Sequence, residues 1–505
     1  MERWTYPTAG ELASALRAGD VTSTELTEQA IERIEQADGA LNAVCAPDFE
    51  RARAAAREAD LALARGAHGR GGEGGARGEL GRRRPLLGVP VTVKESFDAV
   101  GLPTTWGNPE FRGHLAAEDA LLVERMRAAG AVVLGKTNVP LGLRDIQTYN
   151  EIHGTTNNPW DLARTPGGSS GGSAAALAAG FGALSLGSDI GGSLRTPAHF
   201  CGVHAHKPTL HLLPTRGMSP PPGPALPTDI ELAVAGPMAR SAGDLTLLLD
   251  VLLGPDPLTR GRSDTTALPP ARHQRLDGFR VLVLDEHPLL PTGADVRAGI
   301  ARTADALADG GARVVRHSPL LPDLAEAAEL YMLLLFAIST ARFPAAAYEQ
   351  VRSLAAELGA DDRSLHAARL RGATLSHRDW LAADHRRELH RRSWRRLFTE
   401  FDAVVAPITP TAAFPHHQDP DLLNRRITIA GTDHRYLDQL VWAGLATMPG
   451  LPATAVPTGP STEGLPVGVQ LIGPMYEDRT PLRLAELLEE HLGGFRPPPP
   501  RPADR

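Results

Sequence analysis

The amino-acid sequence predicts an α/β fold, because short apolar strands alternate with helical segments along most of its 505 residues. The hydrophobic fraction of 42% and the charged fraction of 22% are typical of a globular protein with a large buried core. Neither an internal repeat nor a convincing linker divides the chain. We therefore expect a single large domain over residues 1–494, followed by a Pro-rich, disordered tail over 495–505.

The N-terminal part of the chain, residues 1–65, is predicted to be helical. Residues 22–25 have the pattern of a capping box, and apolar residues recur at helical spacing after it. A second helix is predicted over 49–64. Residues 66–84 are rich in Gly and Arg and nearly free of apolar side chains, so we expect a flexible surface loop there.

The strands of the predicted sheet follow this loop, and the first of them ends at Lys94. They are short and apolar, which is typical of strands that are buried on both faces. The predicted strands cover residues 86–93, 131–134, 183–186, 280–284, 312–315 and 403–405. Helices are predicted over 121–129, 174–179 and 294–308, and the apolar run 330–336 indicates a buried helix.

Composition and charge exclude several classes of function. The net charge of −7 provides no broad attraction for nucleic acid or acidic lipid, so we expect neither as a partner. No apolar stretch reaches the roughly 18 residues of a membrane span, and the N-terminus lacks the pattern of a signal peptide. The two cysteines cannot form a disulfide framework and are typical of a reducing compartment. We therefore expect a cytoplasmic protein.

Lysine is rare in this sequence. Only Lys94, Lys136 and Lys207 occur, and arginine supplies the rest of the 52 basic side chains. Arginine cannot lose its proton in a protein, whereas a buried lysine can. Each lysine is therefore a candidate for a role that arginine cannot fill.

Two Gly/Ser-rich segments accompany Lys94 as candidates for a functional site. They read GGSSGGS over 167–173 and DIGGS over 189–193. Glycine beside serine lets the backbone adopt unusual dihedral angles and lets a substrate approach closely. The glycines before Ser193 also free backbone N–H groups to converge on one point, which an oxyanion hole requires.

These segments resemble the central motifs of the amidase signature family. As differences of residue numbers, Lys94 and Ser169 are 75 apart and Ser169 and Ser193 are 24 apart, and both spacings match the Ser–Ser–Lys triad of that family. The resemblance implies one α/β domain with a mixed central β-sheet surrounded by helices, and a signature core over 85–255. Further matches lie at 135–140, 158–160, 206–209, 236–240 and 464–470.

The resemblance implies a role for each matching residue. Ser193 attacks the carbonyl and forms the acyl-enzyme, Ser169 follows a cis peptide bond and relays the proton, and Lys94 is the final base. A free lysine has a pKa of about 10.4, so burial must favour its neutral form. The other implied residues are backbone N–H donors at Ile190, Gly191, Gly192 and Ser193, and supporting or substrate-binding residues at Gly168, Ser170 and Leu143.

These residues together predict a serine hydrolase that cleaves small or non-peptide carboxylic acid amides to an acid and ammonia or an amine. We expect no cofactor and no metal, and a small-molecule amide as the substrate; a homodimer is compatible with the sequence. The A subunit of a glutamine-dependent tRNA amidotransferase has the same fold and triad, so a glutaminase that acts with partner subunits is the alternative.

Two features depart from the family pattern: Glu95 replaces the more common Asp, and the 66–84 segment is longer than usual.

Three other motifs suggest different functions. Residues 130–137 fit the P-loop pattern of a nucleotide-binding enzyme, but their middle residues are strand-forming and Pro140 opposes a following helix. Residues 167–171 fit the nucleophile elbow of an α/β-hydrolase, but no apolar strand precedes them. Three histidines and a cysteine over 199–206 could form a metal site, but no further carboxylate ligand accompanies them.

Overall fold

A mixed β-sheet of eleven strands forms the centre of the computed structural model, which describes residues 4–67, 76–221, 230–259 and 267–500. The strands in these ranges are β1 (Val44–Pro47), β2 (Pro90–Lys94), β3 (Val132–Thr137), β4 (Tyr149–Asn150), β5 (Gly154–Thr155), β6 (Leu184–Asp189), β7 (His204–Lys207), β8 (Val234–Ala239), β9 (Arg280–Val283), β10 (Arg313–Val315), β11 (Ala403–Pro407), β12 (Arg426–Ile429), β13 (Thr432–Arg435), β14 (Ala453–Pro460) and β15 (Pro466–Ile472). The pairs β4–β5 and β12–β13 form separate two-stranded sheets.

The strand order in the central sheet is β1-β3-β2-β6-β8-β7-β14-β15-β11-β9-β10. Neighbours are parallel in β3–β2, β2–β6, β11–β9 and β9–β10, and antiparallel elsewhere. Strands β2, β3, β6, β8 and β15 are buried at every residue, as expected for strands that helices cover on both faces. The predicted α/β fold with a mixed central sheet is confirmed.

Helices surround this sheet. In the described ranges they are α1 (Ala9–Ala18), α2 (Ser23–Leu41), α3 (Phe49–Ala67), α4 (Ala76–Arg83), α5 (Leu121–Ala128), α6 (Gly171–Ala178), α7 (Arg195–Cys201), α8 (Ala242–Leu252), α9 (Ala294–Asp309), α10 (Leu324–Ser339), α11 (Ala345–Ala356), α12 (Leu365–Ala373), α13 (His377–Glu400), α14 (Val441–Thr447) and α15 (Arg479–Leu492). The predicted capping box starts α2, where Thr22 and Glu25 exchange hydrogen bonds of 3.1 and 2.8 Å. None of the helices that the structure describes has the length and apolar character needed to cross a bilayer.

The prediction of a flexible loop over 66–84 is wrong for most of the residues described there. Helix α3 continues to Ala67, and α4 occupies Ala76–Arg83, while residues 68–75 lie outside the described part of the chain. A polar sequence can still be helical on the surface when local side-chain pairs support it. Glu79 and Arg83 form such a pair one turn apart at 2.7 Å, and Leu80 packs against the core.

The C-terminal tail is packed where the structure describes it, so the prediction of disorder from residue 495 is also wrong in part. Residues 495–500 have no regular secondary structure, but the Phe495 ring lies 5.6 Å from the Tyr6 ring and 5.9 Å from the Arg240 guanidinium. A single aromatic ring buries enough area to fix a short segment. Residues 501–505 lie outside the described ranges.

The carboxyl ends of β2 and β6 position the candidate site. The two strands are parallel neighbours, with Val93 paired with Leu186, so Lys94 ends β2 beside the last residues of β6. Side chains at the carboxyl ends of parallel strands meet at the same edge of a sheet. Helix α6 begins within the first Gly/Ser-rich segment and α7 begins just after the second, and the two helices pack against each other, which brings both segments to this edge.

Candidate active site

Lys94 is fully buried at the end of β2, and its amine contacts two hydroxyl groups. Nζ lies 2.7 Å from Ser169 Oγ and 2.9 Å from Ser188 Oγ. Burial lowers the pKa of Lys94 to about 7, although the charges of Asp189 and Glu95 oppose this shift. A large fraction of the amines is therefore neutral near pH 7 and can accept a proton from a hydroxyl.

Ser169 lies in the turn that precedes α6. The peptide bond between Gly168 and Ser169 is cis, as the resemblance implies. A Cβ at position 168 would collide with the carbonyl oxygens of Gln147 and Asp145, at 2.7 Å from the latter, so only glycine fits there. The segment 145–147 therefore packs directly against the backbone that carries Ser169.

Ser170 links the two Gly/Ser-rich segments. Its N–H donates to the carbonyl oxygen of Ser193 at 3.2 Å. Its hydroxyl donates to the carbonyl oxygen of Ser188 at 3.3 Å and lies 3.4 Å from the Ser188 nitrogen. These contacts hold the turn before α6 beside the end of β6, which is consistent with the supporting position that the resemblance implies.

Ser193 lies two residues before α7 and retains 6% of its surface exposed. Its hydroxyl makes no hydrogen bond with any residue that the structure describes, whereas Ser169 is bonded to Lys94. The side chains of Lys94 and Ser169 are therefore hydrogen-bonded to each other. Ser193 contacts the turn that carries Ser169 through its backbone carbonyl oxygen, which accepts the Ser170 N–H. A proton transfer from Ser193 to Ser169 requires these two hydroxyls to come within hydrogen-bond distance.

A buried ion pair supports the loop that carries Ser193. Arg195 Nε and Nη2 donate to the two carboxylate oxygens of Asp189 at 3.0 and 2.9 Å, and both side chains are fully buried. Arg195 also donates to Gln470 Oε1 at 2.7 Å and to Thr447 Oγ1 at 2.8 Å. Burial alone would raise the pKa of Asp189, but the charge and hydrogen bonds of Arg195 lower it to about 2. The carboxylate therefore stays ionised inside the core.

The same carboxylate holds the backbone of the loop. It accepts the N–H groups of Gly192 at 2.9 Å and Leu194 at 3.1 Å. Gly192 has a φ of 89°, a backbone conformation that favours glycine. The Gly192 N–H, which the resemblance implies as an oxyanion donor, is therefore engaged by Asp189.

The other N–H groups of this loop remain available, and Tyr331 orients one of them. Those of Ile190, Gly191 and Ser193 donate to none of the described residues, so they can bind a substrate oxygen. The Tyr331 hydroxyl, on the buried helix α10, donates to the carbonyl oxygen of Ile190 at 2.8 Å. That carbonyl and the Gly191 N–H belong to one planar trans peptide and point in opposite directions. The hydrogen bond on one side of the peptide therefore directs the N–H to the other side.

Neither Ser188 nor Tyr331 was among the residues predicted from the sequence. Ser188 lies near the end of β6, and a serine at the end of a strand does not by itself indicate a catalytic role. Its importance depends on the pairing of β6 with β2, the strand that ends at Lys94, and the sequence does not show this pairing. Tyr331 is the one hydroxyl in the otherwise apolar run 330–336, which we interpreted only as a buried helix. A polar atom in such a run needs a buried partner, and this requirement could have identified it.

Leu143 lies close to this site. It ends the short 3₁₀ turn Leu141–Leu143, is half-buried, and has a φ of 60°. A positive φ is unusual for a residue with a branched side chain and is often found near functional sites. The backbone two residues later packs on Gly168, so Leu143 stays a candidate for contact with substrate.

The P-loop interpretation does not fit the structure. Residues 132–137 of the pattern form β3, which is buried at every position. The Lys136 amine contacts Thr104 Oγ1 at 2.9 Å and the Pro103 carbonyl, so it is not available to a phosphate. Glu95 accepts hydrogen bonds from the backbone of the same loop. Lys136 and Glu95 therefore fix a structural loop.

The proposed metal-binding cluster of histidines and a cysteine is not arranged as a metal site. No group of three or more potential ligands converges in the part of the chain that the structure describes. The ring nitrogens of His199 lie 2.9 and 3.0 Å from the carbonyl oxygens of Gly468 and Thr411. His206 contacts Thr454 at 2.9 Å. These side chains therefore make ordinary buried hydrogen bonds.

A cavity of about 600 Å³ lies away from the triad, beside the C-terminal end of α7. Ser193 lies at the other end of that helix. Trp160, Arg164, Pro466 and the C-terminal segment 496–499 contribute to its wall. No triad residue lines it, so the cavity is separate from the candidate active site.

Comparisons with known proteins identify the family of this chain. The family model described as Amidase matches residues 25–482. The A subunit of glutamyl-tRNA(Gln) amidotransferase from Anaeromyxobacter dehalogenans (strain 2CP-C) is 35% identical over 519 residues, with 97% of each chain covered. AtzE, the 1-carboxybiuret hydrolase subunit from Pseudomonas sp. (strain ADP), is 34% identical over 489 residues, covering 95% of this chain and 97% of that protein. A solved structure, described as a vestigial protein complex that reveals the evolutionary origins of an s-triazine catabolic enzyme, superposes with a TM-score of 0.79 at 31% identity, covering 97% of this chain and 99% of that one.

Proposed function

This chain belongs to the amidase family, and we propose that it hydrolyses carboxylic acid amides with Ser193 as nucleophile, Ser169 as proton relay and Lys94 as base. The observation that carries the proposal is the 2.7 Å contact between a buried lysine amine and the Ser169 hydroxyl. A lysine with a pKa of about 7 is an effective base at neutral pH, which an exposed lysine is not.

The proposed reaction moves one proton along this path. As Ser193 Oγ attacks the carbonyl carbon, its proton passes to Ser169 Oγ, and the Ser169 proton passes to Lys94 Nζ. The ammonium then returns the proton through Ser169 to the leaving nitrogen, and the C–N bond breaks. Water hydrolyses the acyl-enzyme by the same relay, releasing the acid and restoring Ser193.

The proposed oxyanion site is the loop between β6 and α7. The free N–H groups of this loop bind the developing negative charge, and Tyr331 fixes the peptide that supplies the Gly191 N–H. Gly192 contributes its left-handed backbone and its contact with Asp189. The supporting residues are Ser170 and Gly168, and Leu143 contacts the acyl part of the substrate.

The relatives support two kinds of physiological role. One relative is named as part of a tRNA amidotransferase and another as part of a carboxybiuret hydrolase. We favour a hydrolase of small amides that needs no cofactor, a role that the 34% identity to the carboxybiuret hydrolase subunit supports. The alternative is a glutaminase that supplies ammonia to partner subunits. The 35% identity to the amidotransferase A subunit supports this alternative.

A substrate panel separates these roles. We would incubate the purified chain alone with aliphatic, aryl, peptide C-terminal and cyclic amides and with glutamine, and measure release of ammonia or amine. Hydrolysis by the single chain that disappears in Ser193→Ala supports the proposal. Glutamine hydrolysis that appears only after addition of the other amidotransferase subunits favours the alternative. Absence of Ser193-dependent hydrolysis under both conditions would falsify the proposed function.

A further inference from the structure

Arg144 is a solvent-accessible cation without an anionic partner among the residues that the structure describes. Its guanidinium donates no hydrogen bond in these ranges, and desolvation by the surrounding protein lowers its pKa with no nearby carboxylate to oppose the shift. An unpaired guanidinium that solvent reaches can bind an anionic group that arrives from solution.

Other arginines near the site are already paired with carboxylates. Arg195 binds Asp189, and Arg425 binds Asp145, the residue next to Arg144. The Asp145 carboxylate cannot also neutralise Arg144, because it already accepts hydrogen bonds from Arg425 and Tyr436 at 2.7 Å each. The charge of Arg144 therefore remains uncompensated by its own neighbours in the described ranges.

The position of Arg144 places it beside the proposed acyl-binding side of the site. It directly follows Leu143, and the carbonyl oxygen of the next residue, Asp145, rests against Gly168, one residue before Ser169. Only the short segment 144–145 therefore separates the cation from the turn that carries the proton relay.

Phe343 holds the guanidinium from one face. The Arg144 Cζ lies 4.8 Å from the centre of the Phe343 ring, a cation–π contact that restrains the position of the guanidinium. The contact uses no hydrogen bond, so the N–H donors of the group stay free. Those donors form a planar fork that matches the two oxygens of a carboxylate.

Helix α10 connects this cation to the oxyanion loop. It carries Tyr331, which contacts Ile190, and Phe343 follows the end of α10 by four residues. The nine residues of α10 from Tyr331 to Ser339 span about 12 Å. One continuous stretch of chain, from Tyr331 to Phe343, therefore contacts both the oxyanion loop and the cation.

We infer that Arg144 is a specificity residue that binds a carboxylate of the substrate, so that preferred substrates are amides carrying a free carboxylate several bonds from the scissile C–N bond. This inference rests on the proposed amidase function. The carboxylate pairs with the edge of the guanidinium, while the amide carbonyl reaches the oxyanion loop. A neutral amide of the same length lacks this contact.

The test compares matched substrates. The monoamides of linear dicarboxylic acids with three to eight carbons are each paired with the neutral alkyl amide of equal chain length, and kcat/KM is measured for each. We expect the wild type to prefer the carboxylated member of at least one pair by about 10-fold or more. Arg144→Met should abolish this preference, mainly through KM, while changing neutral amides by less than about threefold.

Two further variants make the result specific. Arg144→Lys keeps the charge but not the planar fork, so an intermediate preference is expected. Arg342→Met removes an exposed positive charge next to Phe343 and should keep the full preference. Equal kcat/KM values within every wild-type pair, or a preference that survives in Arg144→Met, would overturn the inference.

A binding experiment distinguishes failure of this inference from failure of the proposed function. Calorimetry with Ser193→Ala measures binding of the same amides without turnover. Carboxylate-dependent binding that Arg144→Met removes supports the role of Arg144 even if the wild type hydrolyses no amide. Ser193-dependent hydrolysis with binding that is the same for charged and neutral amides leaves the hydrolase standing and refutes the role of Arg144.

Discussion

The amine of Lys94 lies 2.7 Å from the hydroxyl of Ser169, and both residues are almost completely buried, at 0% and 2% exposure. Burial destabilises the charged ammonium form of Lys94. The neutral amine can therefore act as a base toward the Ser169 hydroxyl, which a permanently charged ammonium could not do.

Ser193→Ala should lower turnover of any amide substrate by at least about 10³-fold, because it removes the hydroxyl of the loop that carries the free N–H groups. The side chain makes no hydrogen bond in the described residues, so we expect little change in the unfolding midpoint. Ammonia release and chemical unfolding measure both quantities. The same substitution at the exposed Ser353 is the control, and a Ser193→Ala rate within about tenfold of the wild type would refute the nucleophile assignment.

The rate should depend on pH through the protonation of Lys94. The neutral amine is the active form, so kcat/KM should fall below a pH of about 7 with unit slope and reach a plateau above it. A solvent isotope effect establishes whether proton transfer limits the rate. Lys94→Arg should be inactive at every pH because a guanidinium keeps its proton. A flat acid limb while proton transfer limits the rate is incompatible with the proposed base.

Ser188→Ala should reduce kcat by about 10- to 100-fold with little change in KM, because it removes one of the two hydroxyls that orient the Lys94 amine. Ser188→Thr retains the hydroxyl and should restore most of the rate. The matched control is Ser185→Ala, which removes a hydroxyl of the same strand that contacts Thr92 at 2.9 Å instead of Lys94. Equal rate losses in the two alanine variants would show that the effect is a general property of β6.

The free energy of unfolding should rise with pH between about 7 and 10, in part because of Lys207. Burial lowers the pKa of this lysine to about 7, and its amine donates to the Pro208 carbonyl at 3.0 Å. The unfolded chain has an ordinary lysine pKa of about 10.4, so it binds more protons than the folded protein in this range, and folding is favoured as pH rises. Below a pH of about 7 both states are protonated and this contribution to the slope disappears.

Lys207→Met removes one titrating group and should reduce the slope by up to about 1.4 kcal/mol per pH unit. Chemical unfolding at several pH values between about 7.5 and 9.5 measures the slopes for the variant and the wild type. Parallel lines for the two proteins would mean that Lys207 is charged in the folded state, contrary to this prediction.

The sequence predicted much of the fold because strands and helices depend on local periodicity and caps. The strand that ends at Lys94 and the capping box before α2 are examples, and the structure contains both. Residues 76–83 show the limit of this reasoning. They form a helix that contains a Glu79–Arg83 pair and packs Leu80 against the core, whereas composition alone indicated a loop.

By itself, the sequence determined the chemical parts of the candidate site: three rare lysines, two Gly/Ser-rich segments and their spacing along the chain. Only the tertiary structure decided which atoms meet. The parallel pairing of β2 with β6 brings Ser188 to Lys94, and helix α10 brings Tyr331 to Ile190. These contacts join residues far apart in the chain, and local propensity contains no information about which distant segments a folded core will place together.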